Sequence, residues 1–124
     1  EKRQGGEARA SAAKAAAAFG RWAVDSVHLD IADEAGQRAE ALDAVALGFV
    51  GTACIHPSQV AVVRQAYAPD DDEVAWARKV LAAAEHNQGV FQLDGRMVDG
   101  PVFRQAEATM RRAAAATEVT TPRA

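Results

Sequence analysis

Val24-Asp25-Ser26-Val27-His28-Leu29-Asp30-Ile31, joined through a helical stretch to Phe49-Val50-Gly51-Thr52-Ala53-Cys54-Ile55-His56-Pro57, decides the fold class. In the first run Val27, Leu29 and Ile31 alternate with His28 and Asp30, the period of a strand with two chemically different faces. Asp33 follows as a candidate N-cap, and Glu34–Leu47 carries Leu42, Val45 and Ala46 at helical spacing before Gly48. The second run predicts a strand over Phe49–Ile55, interrupted by Gly51. It ends at His56-Pro57, where proline suits the first turn of a helix. That helix is predicted to reach Tyr67, with Val60, Val63 and Tyr67 on one side. Strand, helix, strand, helix with short connections argues for parallel βα units. Parallel strands are normally buried on both faces, so two of them imply a larger sheet than this chain supplies.

On the N-terminal side, the alanine-rich run Glu7–Ala18 predicts a helix stopped at Gly20. On the C-terminal side the character changes after Ala68-Pro69. Asp70-Asp71-Asp72-Glu73 puts acid where it complements a helix dipole, and lacks the central glycine and distant glutamate of a calcium loop. The helix it opens carries Val74, Ala77, Val80, Leu81 and Ala84. Val90–Leu93 and Arg96–Val98 flank Asp94-Gly95, a strong hairpin signal. Asp99-Gly100-Pro101 then opens a last helix with Val102, Phe103, Ala106 and Met110. Residues 117–124 have nothing to bury and are expected to be disordered.

The chain has 124 residues, 49% of them hydrophobic but only 6% aromatic. A quarter of the residues are alanine, and a buried methyl removes far less apolar surface than a leucine or phenylalanine. This length suits one domain and excludes a complete (β/α)8 barrel, which needs about 250 residues. Fourteen basic against seventeen acidic residues give a net charge of −3. No basic stripe of the kind nucleic-acid binding requires is visible, and Arg111-Arg112 among alanines reads as a solvated helix face. The lone Cys54 can form neither an internal disulfide nor a metal framework, which fits a reducing cytoplasm. No stretch approaches the ~20 apolar residues of a membrane span, and Glu1–Gly6 lacks the apolar core of a secretory signal.

Ligands in parallel βα folds sit at the carboxyl ends of strands, which singles out Asp30, Asp33 and His56. Asp30 fits a satisfied internal carboxylate as well as a ligand contact. Asp33 fits a plain N-cap more readily than a ligand contact. His56 is either a ligand contact or the cap of the helix beginning at Pro57. No Gly-x-Gly-x-x-Gly, phosphate loop or nucleophile elbow is present. His28, His56 and His86 are too scattered for a metal triad, and Cys54 reads as apolar filler.

Three stretches together resemble the C-terminal part of the citrate lyase β-subunit-like family of CoA-ester lyases, in the wider HpcH/HpaI aldolase group. They are Ala23–Gly36, Leu47–Val60 with Ile55-His56-Pro57-Ser58-Gln59 at its centre, and Gly95-Arg96-Met97-Val98-Asp99-Gly100-Pro101 followed by Arg104-Gln105-Ala106. Tyr67-Ala68-Pro69 and Glu73-Val74-Ala75-Trp76-Ala77 fall between them in the same order.

The resemblance implies an α/β fold, the C-terminal fragment of a (β/α)8 TIM barrel. Residues 1–68 would be the last two βα units and 69–116 a helical and β-hairpin extension, with 117–124 as the tail. It implies carbon–carbon cleavage or condensation of a malyl-, citramalyl- or citryl-CoA type thioester to acetyl-CoA plus a keto acid. A thioester hydrolase on the same scaffold and a non-catalytic subunit-association module are the alternatives. It further implies a cytoplasmic homo-oligomer in which the extension reaches a neighbouring subunit, and coenzyme A as part of the substrate. Mg²⁺ would be held by ligands upstream, with no metal ligand in this chain.

By the same resemblance Asp99 matches the family's acid/base aspartate, whereas the residues alone would make it an N-cap before Pro101. Asp33, His56 and Met97 become candidates for the CoA or substrate pocket. Three departures touch packing and the CoA site: Thr52 where many relatives carry lysine, Gln37 in place of an apolar residue, and Gly100 in place of a bulkier one.

Overall fold

The computed structural model describes residues 2–120, with side chains described for 5–118. Along these residues the order is α1 (Lys2–Ala18), β1 (Val24–Asp25), α2 (Glu34–Leu47), β2 (Gly51–Thr52), α3 (Pro57–Tyr67), α4 (Asp71–Ala84), β3 (Phe91–Leu93), β4 (Arg96–Val98) and α5 (Gly100–Thr120). This is an α-rich α/β chain in two compact units, Glu1–Tyr67 and Ala68–Ala124.

In the first unit β1 and β2 pair in parallel, with Val24 opposite Gly51 and Asp25 opposite Thr52. Both strands are far shorter than the alternation of Val24–Ile31 and the apolar run of Phe49–Ile55 suggest. The first shortening has a local cause. The Asp30 carboxylate accepts the Ala32 N–H at 3.1 Å, and its carbonyl accepts the Asp33 N–H. Such a side-chain turn competes with ladder hydrogen bonds and ends the strand early. The expected two-faced pattern fails with it. Leu29 is 79% exposed, whereas the His28 side chain is only 13% exposed.

α2 begins and ends where its local chemistry dictates. Asp33 accepts the Gly36 N–H, and Gly48 closes the helix in a left-handed conformation with its N–H and that of Phe49 satisfying the Val45 and Ala44 carbonyls. A Cβ at Gly36 would meet the Asp33 carboxylate, so a larger residue there would displace the side chain that caps the helix. The buried face of α2 is Gln37, Ala41 and Ala44, while Leu42 is half exposed. It packs against Val63 and Ala66 of α3 and against Ala13 of α1 and Phe49.

α1 is fastened electrostatically. Arg9 reaches the Asp25 carboxylate through Nε and Nη2 at 3.1 and 2.7 Å, and Asp43 through Nη1 at 2.8 Å. Asp25 is 5% exposed, so a buried carboxylate at the end of β1 depends on a guanidinium from another element.

The second unit packs Ala77 and Val80 of α4, Val98 of β4 and Ala106 of α5 around Trp76, Phe91 and Met110. α4 starts with a complete capping box. Asp70 accepts the Glu73 N–H at 2.7 Å, and Glu73 accepts the Asp70 N–H at 2.9 Å. β3 and β4 form the antiparallel hairpin signalled by Asp94-Gly95, with both turn residues at positive φ (49° and 76°). Arg96 lies over the Trp76 ring at 4.8 Å. α5 continues to Thr120, so residues 117–120 are helical rather than disordered, and residues 121–124 lie outside the described residues. No helix of the described residues is long and apolar enough to cross a membrane.

Candidate functional site

Parallel βα units bind ligands beyond the carboxyl ends of their strands. In the first unit that region comprises the loop 26–33, the loop 53–56 and the first turns of α2 and α3. Asp33 and His56 both lie there.

Asp33 is the N-cap of α2, and its other oxygen meets His28 Nε2 at 3.1 Å. His28 Nδ1 lies 3.0 Å from Glu40. Both ring nitrogens therefore face carboxylates, an arrangement that suits imidazolium, which donates from both. The hydrogen bond to Glu40 leads in holding the His28 pKa above the usual histidine value, with Asp33 adding to it. The Gly36 N–H leads in holding the Asp33 carboxyl below the usual carboxylate range, with His28 adding to it.

His56 is exposed and caps α3. Its Nδ1 accepts the Ser58 N–H at 3.1 Å and lies 2.7 Å from the Ser58 hydroxyl. Because a backbone N–H can only donate, the neutral ring carries its proton on Nε2.

Gln59 joins these two loops. Its Nε2 donates to the His28 carbonyl at 2.8 Å, and its Oε1 accepts the Ile55 N–H at 2.9 Å. It is 2% exposed, so one buried carboxamide sets the spacing between the segments that follow β1 and β2. The sequence marks Gln59 only as a motif member; its partners lie 4 and 31 residues away. Tyr67 closes the other end of α3, bonding Thr52 through hydroxyls 2.8 Å apart, and burial pushes its phenol pKa up.

Between the first turns of α2 and α3 lies a cleft of about 130 Å³ lined by Ile31, Ala32, Glu34, Gln37, Ser58, Gln59 and Val62. Gln37 is 2% exposed, and neither its Nε2 nor its Oε1 has a hydrogen-bond partner among the described residues. A glutamine at position 37, with Ala41 and Ala44 on the same helix face, was the available sequence signal.

In the second unit Asp99 and Met97 lie in Gly95–Pro101. Asp99 caps α5: Oδ1 accepts the Val102 N–H at 3.1 Å, and its carbonyl accepts the Phe103 N–H. Oδ2 has no partner among the described residues, so capping occupies only half of the carboxylate. Met97, on β4 two residues earlier, is 69% exposed. Among the described residues no three His, Cys, Asp or Glu side chains gather in a way that could hold a metal ion. Cys54 is partly buried, with its thiol 3.7 Å from the Thr52 carbonyl.

Residues 14–116 match the family model described as C–C bond lyase of the TIM-barrel fold. A citrate lyase subunit beta-like protein of Mycobacterium tuberculosis is 56% identical over 103 residues, covering 83% of this chain and 38% of that protein. The mitochondrial citramalyl-CoA lyase of Rattus norvegicus is 41% identical over 96 residues, covering 74% of this chain and 28% of that protein. Among solved structures, Mycobacterium tuberculosis CitE in complex with magnesium, acetoacetate and coenzyme A superposes with a TM-score of 0.74 at 54% identity. That match covers 86% of this chain and 40% of the CitE chain. The chain thus spans two fifths or less of the length of these relatives.

Proposed function

This chain belongs to the C–C bond lyase family of the TIM-barrel fold, and from that membership we propose that it is the C-terminal segment of a CoA-ester carbon–carbon lyase. In this reading residues 1–68 are the last two βα units of the barrel, and 69–116 are an extension that reaches a neighbouring subunit of a cytoplasmic homo-oligomer. Exposure of the first unit supports it. Trp22 is 86% exposed, and Val24 and Val50 are more than half exposed, although parallel strands are normally covered on both faces. Missing barrel strands are the natural cover.

The observation that carries the catalytic reading is the half-occupied Asp99 carboxylate. Its Oδ1 is fixed by the first turn of α5 while Oδ2 is left without a partner among the described residues. In the condensation direction Asp99 takes a proton from the methyl carbon of acetyl-CoA, the resulting enolate carbon attacks the keto-acid carbonyl, and the alkoxide left when the C=O π bond opens takes a proton from solvent. In the cleavage direction the hydroxyl loses its proton to solvent, the carbonyl re-forms as the carbon–carbon bond breaks, and Asp99 returns a proton to the acetyl carbon. Capping prearranges the carboxylate without consuming both oxygens. Met97 lies two residues away along an extended chain, and it joins Asp33 and His56 as a candidate contact for the CoA ester.

The CitE structure of Mycobacterium tuberculosis holds magnesium and coenzyme A. Among the described residues no three His, Cys, Asp or Glu side chains gather around a point, and this reading assigns the magnesium ligands to the remainder of the barrel. The substrate is of malyl-, citramalyl- or citryl-CoA type. The lyase names of the relatives favour carbon–carbon cleavage over thioester hydrolysis.

The test mixes this chain with the N-terminal barrel portion of the Mycobacterium tuberculosis relative and supplies malyl-CoA and citramalyl-CoA with magnesium. Acetyl-CoA plus a keto acid is the expected product pair, and the 124-residue chain by itself is expected to be inactive. Free CoA plus a hydroxy acid from the mixture, or cleavage by the chain alone, would contradict the reading.

A further inference from the structure

His28 ties loop 26–33 to both helices beside it. Its ring meets Asp33, the cap of α2, at 3.1 Å and Glu40 within α2 at 3.0 Å, while its carbonyl accepts the Gln59 amide of α3 at 2.8 Å. We propose that His28 is a protonation-dependent clasp: the doubly protonated ring holds loop 26–33 to α2, and loss of one ring proton releases Glu40. That release loosens the loop together with the Ile55 segment that Gln59 ties to it. The clasp stands independently of the CoA-ester reading above.

A neutral imidazole has one N–H, so it donates to only one of two carboxylates and turns a lone pair toward the other. The His28 side chain is 13% exposed, which leaves little water to screen that repulsion. Neutral His28 therefore gives up one contact. Asp33 is anchored, because its Oδ1 accepts the Gly36 N–H at 2.9 Å and only Oδ2 meets His28. Glu40 is half exposed, and its carboxylate has no second partner among the described residues. Release of Glu40 into water is the less costly outcome, with the remaining proton on Nε2 toward Asp33.

Among the described residues Glu40 and Asp33 are the charged groups in contact with the ring. Arg9 of α1 reaches the Glu40 carbonyl but spends its guanidinium on Asp25 and Asp43. Asp30 turns onto the Ala32 N–H, Arg38 of α2 bonds Gln65, and Gln59 from α3 is uncharged. Glu40 first, and Asp33 after it, hold the His28 pKa above its usual value, so the clasp is closed below that raised value and opens as pH rises through it. Gln59 carries the change onward. It is 2% exposed and bonds both the His28 carbonyl and the Ile55 N–H, so a shift of residue 28 moves Gln59 or breaks one of its bonds. Ile55 adjoins His56, which places the turn that presents His56 under the same control.

The test is amide hydrogen exchange of the ¹⁵N-labelled 124-residue chain across the His28 titration. His28→Gln is the reference, since it shows the intrinsic pH dependence of exchange without the titrating ring. The Asp33 and Ile55 amides, bonded to the Asp30 carbonyl and to Gln59, report the loop and the linked segment. Below the midpoint the wild type is expected to protect them about tenfold better than the reference, the effect of one hydrogen bond between charged groups. Above the midpoint that advantage is expected to vanish, while the Gly36 amide, held by Asp33, stays protected throughout. In Glu40→Gln the new side-chain amide donates to a neutral Nδ1, so both contacts survive deprotonation and the pH step is expected to disappear; this variant becomes the reference should His28→Gln not fold. Wild-type exchange without a step, a step that persists in Glu40→Gln, or a Gly36 amide that opens with the His28 midpoint overturns the proposal.

Discussion

Removing Arg9 is the perturbation whose cost follows most directly from the packing. Its guanidinium makes two hydrogen bonds to Asp25, at 3.1 and 2.7 Å, and a third to Asp43 at 2.8 Å. Asp25 is 5% exposed while the Arg9 side chain is 25% exposed. Arg9→Ala leaves a buried carboxylate without its cation, and breaking a buried pair in this way costs about 3–5 kcal/mol. Because Arg9 is one quarter open to solvent, the lower end applies, about 3 kcal/mol. Asp25→Asn should cost less, about 1–2 kcal/mol, since Arg9 keeps Asp43 and can turn toward water. The double variant should be no less stable than Arg9→Ala, because the stranded charge is then gone. With a urea slope of about 1.5 kcal/mol per M, Arg9→Ala shifts the midpoint by about 2 M. Urea unfolding of the three variants, closed into a double-mutant cycle, measures the coupling. A loss below about 1 kcal/mol for Arg9→Ala, or additive effects, would refute the view that this pair fastens α1 to β1.

Two further predictions concern the loops after the strands. His28 should titrate above its ordinary 6.5, because Glu40 and then Asp33 stabilise its charged form. Its contribution to stability is fully present below pH 6.5 and is lost as pH rises through the folded-state pKa. Asp33 has the opposite sign: its contribution is present above its ordinary 3.8 and is lost as pH falls through its lowered folded-state pKa. An NMR titration of the His28 ring should show the raised midpoint, and Glu40→Gln should bring it down toward 6.5; an unchanged midpoint in Glu40→Gln contradicts the assignment. Gln59→Leu strands the His28 carbonyl and the Ile55 N–H and should cost about 2 kcal/mol. Thermal unfolding checks it, and a loss under 0.5 kcal/mol, about that of a surface substitution, would remove Gln59 from its linking role.

What the sequence revealed divides by the range of the interactions involved. The bounds of α2 were legible because Asp33 and Gly48 act on backbone groups within a few residues. The acidic helix start at Asp70–Glu73 and the hairpin at Asp94-Gly95 were legible for the same reason. The lengths of β1 and β2 were not, since alternation at Val27–Ile31 describes side chains while a strand requires a partner, and the Asp30 turn withdraws the backbone first. The buried face of α2 was misjudged too. Periodicity favoured Leu42, but contact with α1, α3 and Phe49 chose Ala41 and Ala44 and enclosed Gln37. Arg9, which reads as a solvated helix charge, finds its partner 16 residues on, beyond the reach of any local pattern. At the candidate site the cap reading of Asp99 was visible in Asp99-Gly100-Pro101, and the acid/base reading came from the family resemblance of Gly95–Pro101. The geometry makes them compatible, because the cap uses one oxygen only.

The central claim is that Asp99 moves the acetyl proton, and Asp99→Asn tests it most directly. Asparagine is as good an N-cap as aspartate, so α5 and the fold should survive while the base is lost. In the complemented enzyme, exchange of the acetyl-CoA methyl protons into deuterated water can be followed by NMR alongside cleavage. The account expects the variant to unfold at the wild-type midpoint and to lose exchange and cleavage together, by about 10²-fold or more. Exchange at the wild-type rate in a folded Asp99→Asn enzyme would contradict it.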